Sequence, residues 1–343
     1  MVVVSGPPRI RELSFQQLLN SRVSDLGLRP EDTLRECLIE LRHELKRNGI
    51  EFFPHFYFGE EPWGCIDRTG SVEIPFYLAN SHLRRLAERY YFSYSKQEIM
   101  MILRHEAGHA INYVYRLWTR PDWKKHFGNF RRRYPNFYTF EPNSREFVRY
   151  LHNIGNPHYA QKHPDEDFSE SFAVWLDPAS KWKWNYRRWK GALTKLQFVD
   201  RLFRREKIAR RRPLKVRFDE TNSYRRIDST VAEYFAIEKK INPRIKEYTQ
   251  DLKDIFPAVP TGRRGKFVRA DMFVQTSSRY LEEELVTWIA NADRRDIRKF
   301  LQTLKTICAL NNLRLKPDEA TEKLVELVIV ATYHVMNRLR LLR

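Results

Sequence analysis

The segment from Ser95 to Trp118 is constrained to be a helix, and it carries two histidines one helical turn apart. Ser95 followed by Glu98 forms the S-x-x-E signature of a capping box, which marks a helix N-terminus. Apolar residues then recur at helical spacing: Ile99, Ile102, Leu103, Ala107, Ala110, Ile111, Val114 and Leu117. His105-Glu106-Ala107-Gly108-His109 lies within this stretch and matches the H-E-x-x-H pattern. Because residues i and i+4 share a helix face, both imidazoles can reach one ion.

This spacing predicts a zinc site and a hydrolytic function. With His105 and His109 as ligands, Glu106 lies next to the site, where it can take a proton from a metal-bound water. A catalytic zinc needs a third protein ligand and keeps one position open for that water. The metzincin class, whose motif continues with a glycine and a third histidine, is excluded because Asn112 and Tyr115 stand at those positions. The third ligand is therefore expected from a later part of the chain.

A second predicted helix, from Asp165 to Leu176, supplies carboxylates at a suitable spacing. Glu166 and Glu170 are four residues apart and share a face, so one can ligate the metal while the other accepts a hydrogen bond from a ligand imidazole. We assign Glu166 as the ligand and Glu170 as the group that orients the imidazole. His163 and Asp167 are weaker alternative ligands. In the alternative interpretation, the carboxylates are surface charges that stabilise the N-terminus of the helix.

Together the two helices resemble the gluzincin class of zinc metallopeptidases, in which H-E-x-x-H is followed by an E-x-x-x-E helix. The stretch from Glu166 to Phe172, E-D-F-S-E-S-F, is similar to the E-F-F-A-E-x-F segment of the anthrax lethal factor catalytic domain and of many bacterial zinc-binding metallopeptidases. The resemblance covers about residues 95 to 177. It implies a zincin-like catalytic domain in which His105, His109 and Glu166 hold Zn2+.

The resemblance also implies a residue that stabilises the transition state. The tyrosine of the family, seven residues before the ligand glutamate, falls on Tyr159, which would hydrogen-bond the developing oxyanion. His158 beside it is a second catalytic candidate. The alternative is that Tyr159 packs its ring, as most of the 17 tyrosines are expected to do. The sequence departs from the family segment at Asp167, where lethal factor has an aromatic residue.

The predicted fold class is α+β and mostly helical, with a zincin-like catalytic domain, a small mixed sheet and a C-terminal helical region. Three parts are expected along the chain: an N-terminal arm over residues 1–27, the catalytic domain over 28–212 and a helical accessory domain over 213–343. The sheet is predicted from two strands, Ile50–Phe58 and Ser71–Leu78. Pro75 favours an edge position for the second strand, and an extended substrate would be able to pair with such an edge.

Further helices are predicted from apolar periodicity and from capping and breaking residues. They are Phe15–Leu19, Glu31–Arg47, Ser81–Tyr90, a long basic helix Trp184–Arg211, Ser229–Lys240, Ser277–Ala292, Arg295–Leu310 and Pro317–Leu342. Gly64–Gly70 is expected to be a turn, and residues 119–157 a long loop region with short elements. Pro257–Gly265 and Asn311–Lys316 are expected to be linkers.

The cysteines and the hydropathy favour a soluble, cytoplasmic protein. Cys37, Cys65 and Cys308 lie far apart and form no C-x-x-C pair, so neither a thiolate zinc site nor a redox motif is indicated. Such a sparse, odd set fits a reducing compartment. The apolar run Val2–Val4 is too short for the core of a signal peptide. The sequence also contains no run of about 18 apolar residues that would span a membrane.

The positive charge of the chain is concentrated in one segment. The formal net charge is +19, and Lys181 to Arg226 holds 17 basic residues against four acidic ones, a net +13. Such a field attracts nucleic acid or another polyanion. The aromatic residues interleaved with these charges are typical of stacking platforms, namely Trp182, Trp184, Tyr186 and Trp189. In the alternative interpretation, this segment is a solvated surface and its rings pack on the core. A separate alternative for the whole chain is a zinc-binding regulator without catalysis.

Overall fold

The described part of the chain is mostly helical with two small sheets, which confirms the predicted α+β class. The computed structural model describes residues 10–60, 63–90, 94–135, 138, 140–151, 158–210, 218–235, 245–257, 267–289 and 292–340. Its helices are α1 Phe15–Asn20, α2 Asp32–Arg47, α3 Ser81–Tyr90, α4 Lys96–Val114, α5 Pro121–Phe127, α6 Pro164–Leu176, α7 Trp182–Asn185, α8 Lys190–Asp200, α9 Val231–Tyr234, α10 Ile245–Ile255, α11 Ala270–Trp288, α12 Arg294–Leu310 and α13 Ala320–Arg340. Its strands are β1 His55–Gly59, β2 Gly64–Cys65, β3 Ser71–Pro75, β4 Val268–Arg269 and β5 Arg314–Leu315. Within these ranges, no helix combines the length and the hydropathy needed to span a bilayer.

Contacts between Cα atoms divide the chain into two compact units. The first contains residues 1–12, 22–84 and 94–228, and the second contains residues 13–21, 85–93 and 229–343. The first unit therefore holds α2, α4 to α8 and the strands β1 to β3. The second unit holds α1, α9 to α13 and the strands β4 and β5. The predicted domain boundaries after residues 27 and 212 stay predictions.

The three-stranded sheet of the first unit has the order β1-β3-β2, with β3 in the centre. β1 runs parallel to β3, β2 runs antiparallel to it, and all five residues of β3 are buried. The prediction that the strand beginning at Ser71 forms an edge is wrong, because both of its sides are paired. Pro75 is tolerated because it is the last residue of the strand, where the ladder ends. Phe76–Leu78, predicted to continue this strand, forms a 3-10 turn, and the predicted turn Gly64–Gly70 contains β2.

Helix α4 has the capped N-terminus that the sequence predicts. The hydroxyl of Ser95 accepts a hydrogen bond from the backbone N–H of Glu98 at 3.1 Å. The carboxylate of Glu98 in turn accepts one from the backbone N–H of Ser95 at 2.6 Å. This reciprocal pair satisfies two N–H groups at the helix start. Every residue from Ile99 to Val114 is buried, and α2 and α6 pack against the helix.

Gly108 allows α4 and α6 to approach each other closely. A methyl group built on Gly108 would lie 3.0 Å from the Cα atom of Ser169 and 3.2 Å from a ring carbon of Phe172. The first of these neighbours is backbone, so it cannot rotate out of the way. The glycine of the H-E-A-G-H motif therefore permits the helix separation that brings the acidic end of α6 to the histidines.

Helix α6 is buried along its whole length. Pro164 occupies its first turn, where a missing N–H removes no intrahelical hydrogen bond. His163 caps the helix, because its Nδ1 accepts a hydrogen bond from the backbone N–H of Asp165 at 3.1 Å. Phe168 and Phe172 pack their rings against aromatic residues of neighbouring segments. The apolar face of α6 therefore fixes the helix in the core, and the helix in turn positions its carboxylates.

The basic segment does not form the predicted long helix Trp184–Arg211, so that prediction is wrong. It forms α7, α8, a π-helical turn Arg201–Arg205 and a 3-10 turn Ile208–Arg210, and residue 211 lies outside the described ranges. The break between α7 and α8 coincides with tertiary contacts of two aromatic residues. The hydroxyl of Tyr186 accepts a hydrogen bond from the backbone N–H of Arg149 at 3.1 Å, and the Arg149 guanidinium lies 4.8 Å from the ring centroid of Trp189.

The second unit has a hydrophobic core of its own, to which α10 to α13 contribute. Its most deeply buried side chains include Leu252, Phe256, Val274, Leu281, Leu304, Leu327 and Ala331. Helix α11 begins at Ala270, ahead of the predicted start at Ser277, and α10 is not among the predicted helices. Part of the predicted linker Asn311–Lys316 forms β5. Most of the predicted linker Pro257–Gly265 and the end of the predicted helix Ser229–Lys240 lie outside the described residues.

Replacing Gly108 by valine should destabilise the first unit. The added Cβ atom would lie 3.0 Å from the Cα atom of Ser169 in α6, and overpacking of this kind costs about 1–3 kcal/mol. Chemical denaturation of the full chain measures the loss. Gln97→Val is the matched control, because Gln97 is an exposed position of the same helix and its replacement is expected to change the free energy of unfolding by less than about 0.5 kcal/mol. Equal stability of the two variants would contradict the proposed close packing.

Candidate metal centre

Three side-chain atoms from α4 and α6 converge on one point in the core of the first unit. The Nε2 atoms of His105 and His109 are 3.1 Å apart, and they lie 2.9 Å and 3.2 Å from Oε2 of Glu166. The three side chains are almost fully buried. They form the one cluster among the described residues that is suited to holding a metal ion. The structure thus brings together the two motif histidines and the glutamate assigned as third ligand.

The size of this triangle fits a zinc ion. Zinc binds imidazole nitrogen at about 2.0–2.1 Å and carboxylate oxygen at about 2.0–2.2 Å, almost always with tetrahedral angles in sites of this type. Tetrahedral ligand atoms at that bond length are about 3.3 Å from each other. The three separations here lie between 2.9 and 3.2 Å. A small outward movement of each side chain would therefore complete the coordination.

The groups behind the imidazoles decide which nitrogen atoms carry protons. Nδ1 of His109 lies 2.9 Å from Oδ2 of Asp165, so that nitrogen donates its proton to the carboxylate. Nδ1 of His105 lies 3.2 Å from Oε1 of Glu170, although the ring N–H is not aligned well enough for a good hydrogen bond. With both Nδ1 atoms protonated, both Nε2 atoms of the neutral rings present lone pairs. Three lone pairs would then face each other, and either a proton or a metal ion among them removes this repulsion.

The pKa values of the cluster show how strongly it attracts positive charge. Burial lowers the pKa of His105, but the contacts with Glu166 and Glu170 outweigh burial and raise that pKa to about 9. The pKa of His109 is likewise raised well above its usual value, because Asp165 and Glu166 outweigh burial. Burial raises the pKa of Glu166, but the two histidines outweigh it and lower that pKa to about 2. Protons and a metal ion therefore compete for the same lone pairs.

Asp165 is a functional candidate that the sequence analysis missed. Its carboxylate contacts Nδ1 of His109, accepts a hydrogen bond from Nδ2 of Asn112 at 2.8 Å, and accepts another from the hydroxyl of Tyr113. Two donors therefore fix the carboxylate that orients the His109 ring. The sequence contained one signal for this role. Asn112 and Tyr113 follow His109 at helical spacing and add polar groups to the face that carries the ligands.

Glu170 is held by two backbone N–H groups of the segment that was predicted to be a long loop region, residues 119–157. Its carboxylate accepts hydrogen bonds from the N–H groups of Tyr150 at 2.8 Å and Leu151 at 3.2 Å, and the residue is fully buried. Its position next to Nδ1 of His105 is the one expected of a residue that orients a ligand ring. Each of the two imidazoles therefore has its own carboxylate behind it.

Glu106 lies beside the cluster and is anchored by the edge of the sheet. Oε2 of Glu106 accepts a hydrogen bond from the backbone N–H of Cys65 in β2 at 2.8 Å. Glu106, the three converging residues and Tyr159 all line one cavity of about 650 Å3. The cavity thus joins the candidate base to the candidate metal ligands.

The two candidates for stabilising the oxyanion lie in different surroundings. Tyr159 lines the cavity, and the centroid of its ring is 5.8 Å from that of His105. His158 is buried, has a left-handed backbone with φ 55°, and stacks on Phe140 at 4.6 Å between ring centroids. It is not among the described residues that line the cavity. The geometry therefore favours Tyr159 over His158.

The two weaker alternative ligands have other partners. Nδ1 of His163 caps α6, and its Nε2 lies 2.9 Å from the carbonyl oxygen of Arg132. Asp167 accepts a hydrogen bond from Nζ of Lys195 at 2.6 Å. Burial raises the pKa of Asp167 to about 7 in spite of Lys195. A buried ion pair thus occupies the place where the lethal factor segment has an aromatic residue.

Comparison with known proteins adds no further evidence about the site. No family model matches the sequence, and neither the curated proteins nor the solved structures contain a match. The resemblance to gluzincins therefore rests on the motif residues, and it stays an expectation. The geometry of the cluster has to carry any functional proposal.

Replacing Asp165 by asparagine should weaken zinc binding by about 10- to 100-fold, the usual effect of losing a group that orients a ligand. The single amide oxygen cannot accept from His109, Asn112 and Tyr113 at once. Competition with a chromogenic chelator measures the affinity. Asp167→Asn is the control, because Asp167 is a buried carboxylate of the same helix that pairs with Lys195. An equal loss of affinity in both variants would show that any buried acid of α6 matters and that orientation of His109 does not.

Proposed function

We propose that this chain is a zinc-dependent peptidase that hydrolyses peptide bonds in a protein or peptide substrate. The observation that carries the proposal is the convergence of Nε2 of His105, Nε2 of His109 and Oε2 of Glu166, with separations of 2.9 to 3.2 Å. A catalytic rather than a structural zinc is favoured, because structural sites have four protein ligands and the described residues offer three. The fourth position is then available to water.

The proposed chemistry divides between the ion and the residues around it. Zinc in this site would lower the pKa of a water molecule and polarise the scissile carbonyl group. Glu106 takes the proton that the water loses as its oxygen attacks the carbonyl carbon. Glu106 then delivers that proton to the amide nitrogen as the C–N bond breaks, which yields a carboxylate and a free amine. The hydrogen bond from the N–H of Cys65 orients the Glu106 carboxylate for both transfers.

Tyr159 is the proposed donor to the oxyanion that forms on the carbonyl oxygen. Its support is its position in the wall of the cavity beside His105. A phenol that donates a hydrogen bond only when negative charge develops lowers the barrier without tightening substrate binding. His158 remains the second candidate for this role.

The cellular location of this chain and its binding partners other than the substrate are also proposals. A cytoplasmic location is supported by the cysteines, all three of which are free thiols. A nucleic acid or another polyanion is a proposed partner of the basic segment 181–226, whose net charge supports it. The alternative of a zinc regulator without catalysis is disfavoured by the cavity that connects Glu106 with the ligands.

Replacing Glu106 by glutamine should abolish peptide hydrolysis while zinc stays bound, because the amide cannot accept the proton of the water. Turnover of a mixed fluorogenic peptide library and metal analysis of the same samples measure the two properties. His105→Ala and Glu166→Ala should lose both zinc and turnover. His163→Ala is the matched control and should keep zinc. Normal turnover by Glu106→Gln, or stoichiometric zinc in both ligand variants, would refute the proposal.

Replacing Tyr159 by phenylalanine should lower kcat by about 10²-fold, the usual effect of removing one hydrogen bond to an oxyanion, with little change in KM. Steady-state kinetics on a peptide that the wild-type chain cleaves separates the two constants. His158→Ala is the matched control for the neighbouring residue and should leave kcat within a few fold. The assignment fails if His158→Ala shows the larger loss.

A further inference from the structure

A second cavity of the first unit, of about 880 Å3, shares no lining residue with the cavity at the metal centre. Its wall is formed by the end of α2, the end of α6 with the residues that follow it, helix α7, and the turn after α8. It is larger than the cavity at the candidate metal centre. Neither the proposed metal ligands nor Glu106 or Tyr159 contributes to it, so the proposed hydrolysis does not explain it.

Five of the residues that line this cavity are basic. They are Arg47, Lys181, Lys183, Arg204 and Lys207. The two acidic residues of the wall, Glu44 and Asp177, are both held by Arg104, at 2.6 Å and 3.2 Å. Arg204 pairs with Asp200 at 3.3 Å, and among the described residues the other four cations form no ion pair. The cavity therefore has an excess of positive charge, which low-dielectric walls concentrate.

Two of these lysines have an uncommon backbone conformation. Lys181 has φ 41° and Lys207 has φ 50°, which is the left-handed region. A side chain with a Cβ atom is disfavoured there, and lysine lacks the short polar side chain with which asparagine or aspartate stabilises it. Backbone strain of this kind concentrates at ligand sites. Its occurrence at two places in one wall is consistent with a binding function.

Trp184 gives the cavity an exposed aromatic ring. The residue is 65% exposed, whereas Trp182 in the same wall is only 8% exposed. The guanidinium of Arg187 lies over one face of the Trp184 ring, 3.7 Å from its centroid, and adds positive charge there. The other two rings of the basic segment, Tyr186 and Trp189, pack edge to face at 5.5 Å. Of the four interleaved rings, the most exposed one is thus a ring that lines the basic cavity.

We propose that this cavity binds a nucleotide unit of single-stranded nucleic acid, with a base stacked on Trp184 and phosphate groups near Lys181 and Lys207. Stacking and phosphate contacts together are the features by which proteins bind single strands without reading sequence. An acidic peptide would use the charges but would bring no base to stack on the indole. A free nucleotide has the same chemistry as one unit of a strand, so both sources have to be compared.

Fluorescence anisotropy of the full chain with a short labelled oligonucleotide tests this proposal at about 50 and about 200 mM salt. Binding should weaken as salt rises, and Trp184→Ala should weaken it about 5- to 150-fold, the effect of losing one stacked base. The double variant Lys181→Gln/Lys207→Gln should reduce the slope of log affinity against log salt by about 1.4, because each phosphate contact of a single strand contributes about 0.7. Competition by adenosine monophosphate at equal nucleotide concentration assigns the site to free nucleotides, and its failure assigns the site to a strand.

Two matched controls lie away from the cavity. Trp288→Ala removes an exposed tryptophan of the second unit, and Lys124→Gln/Lys125→Gln removes two exposed cations of α5. Both should leave the affinity and the salt slope unchanged. His105→Ala should also bind the oligonucleotide normally, so loss of the metal centre cannot imitate loss of this site. The proposal is overturned by absence of binding at the lower salt, by binding that Trp184→Ala does not weaken, or by equally tight, Trp184-independent binding of polyglutamate.

Discussion

The contact between α4 and α6 at Gly108 is the constraint on which the candidate metal centre depends. Any other residue in place of Gly108 would put its Cβ atom 3.0 Å from the Cα atom of Ser169. At this short helix separation the carboxylate of Glu166 reaches the Nε2 atoms of His105 and His109. The glycine between the two histidines is therefore part of the geometry of the site, although it contributes no ligand atom.

Helix α6 buries four carboxylates within six residues, and their partners explain how the fold tolerates this. An isolated carboxylate in the core is costly unless it is paired and hydrogen-bonded. Asp165 contacts His109 and accepts from Asn112 and Tyr113, Asp167 pairs with Lys195, and Glu170 accepts from two backbone N–H groups. Glu166 differs from the others. In the described part of the chain, its side chain has hydrogen-bond contacts with the two histidines only. The ionised form of Glu166 thus depends on positive charge at the two histidines, whether a proton or a bound metal ion supplies that charge.

Local signals in the sequence predicted the elements that carry the site, and non-local pairing decided where the predictions were wrong. Ser95 and Glu98 determine the start of α4, and His163 with Pro164 determines the start of α6. β3 is a central strand because β2 pairs with its second side. β2 has only two residues, which is too short for a periodic pattern to predict it. The role of Asp165 was hard to predict although Asn112 and Tyr113 gave one signal of it, because a carboxylate at a helix N-terminus has an adequate local explanation in the helix dipole. Its contact with His109 exists only after α4 and α6 have packed.

The same dipole accounts for part of the acidic charge at the N-terminal end of α6, so its effect has to be separated from ligand binding. Acidic residues in the first turn of a helix are favoured without any ligand. The dipole does not require Nε2 of His105, Nε2 of His109 and Oε2 of Glu166 to converge, nor does it require Trp184 to stay exposed in a basic cavity. Glu166 and Trp175 are nine residues apart, or about 14 Å along the helix. Changes at such a distance are usually additive, so the two sites are open to independent perturbation although one helix contributes to both.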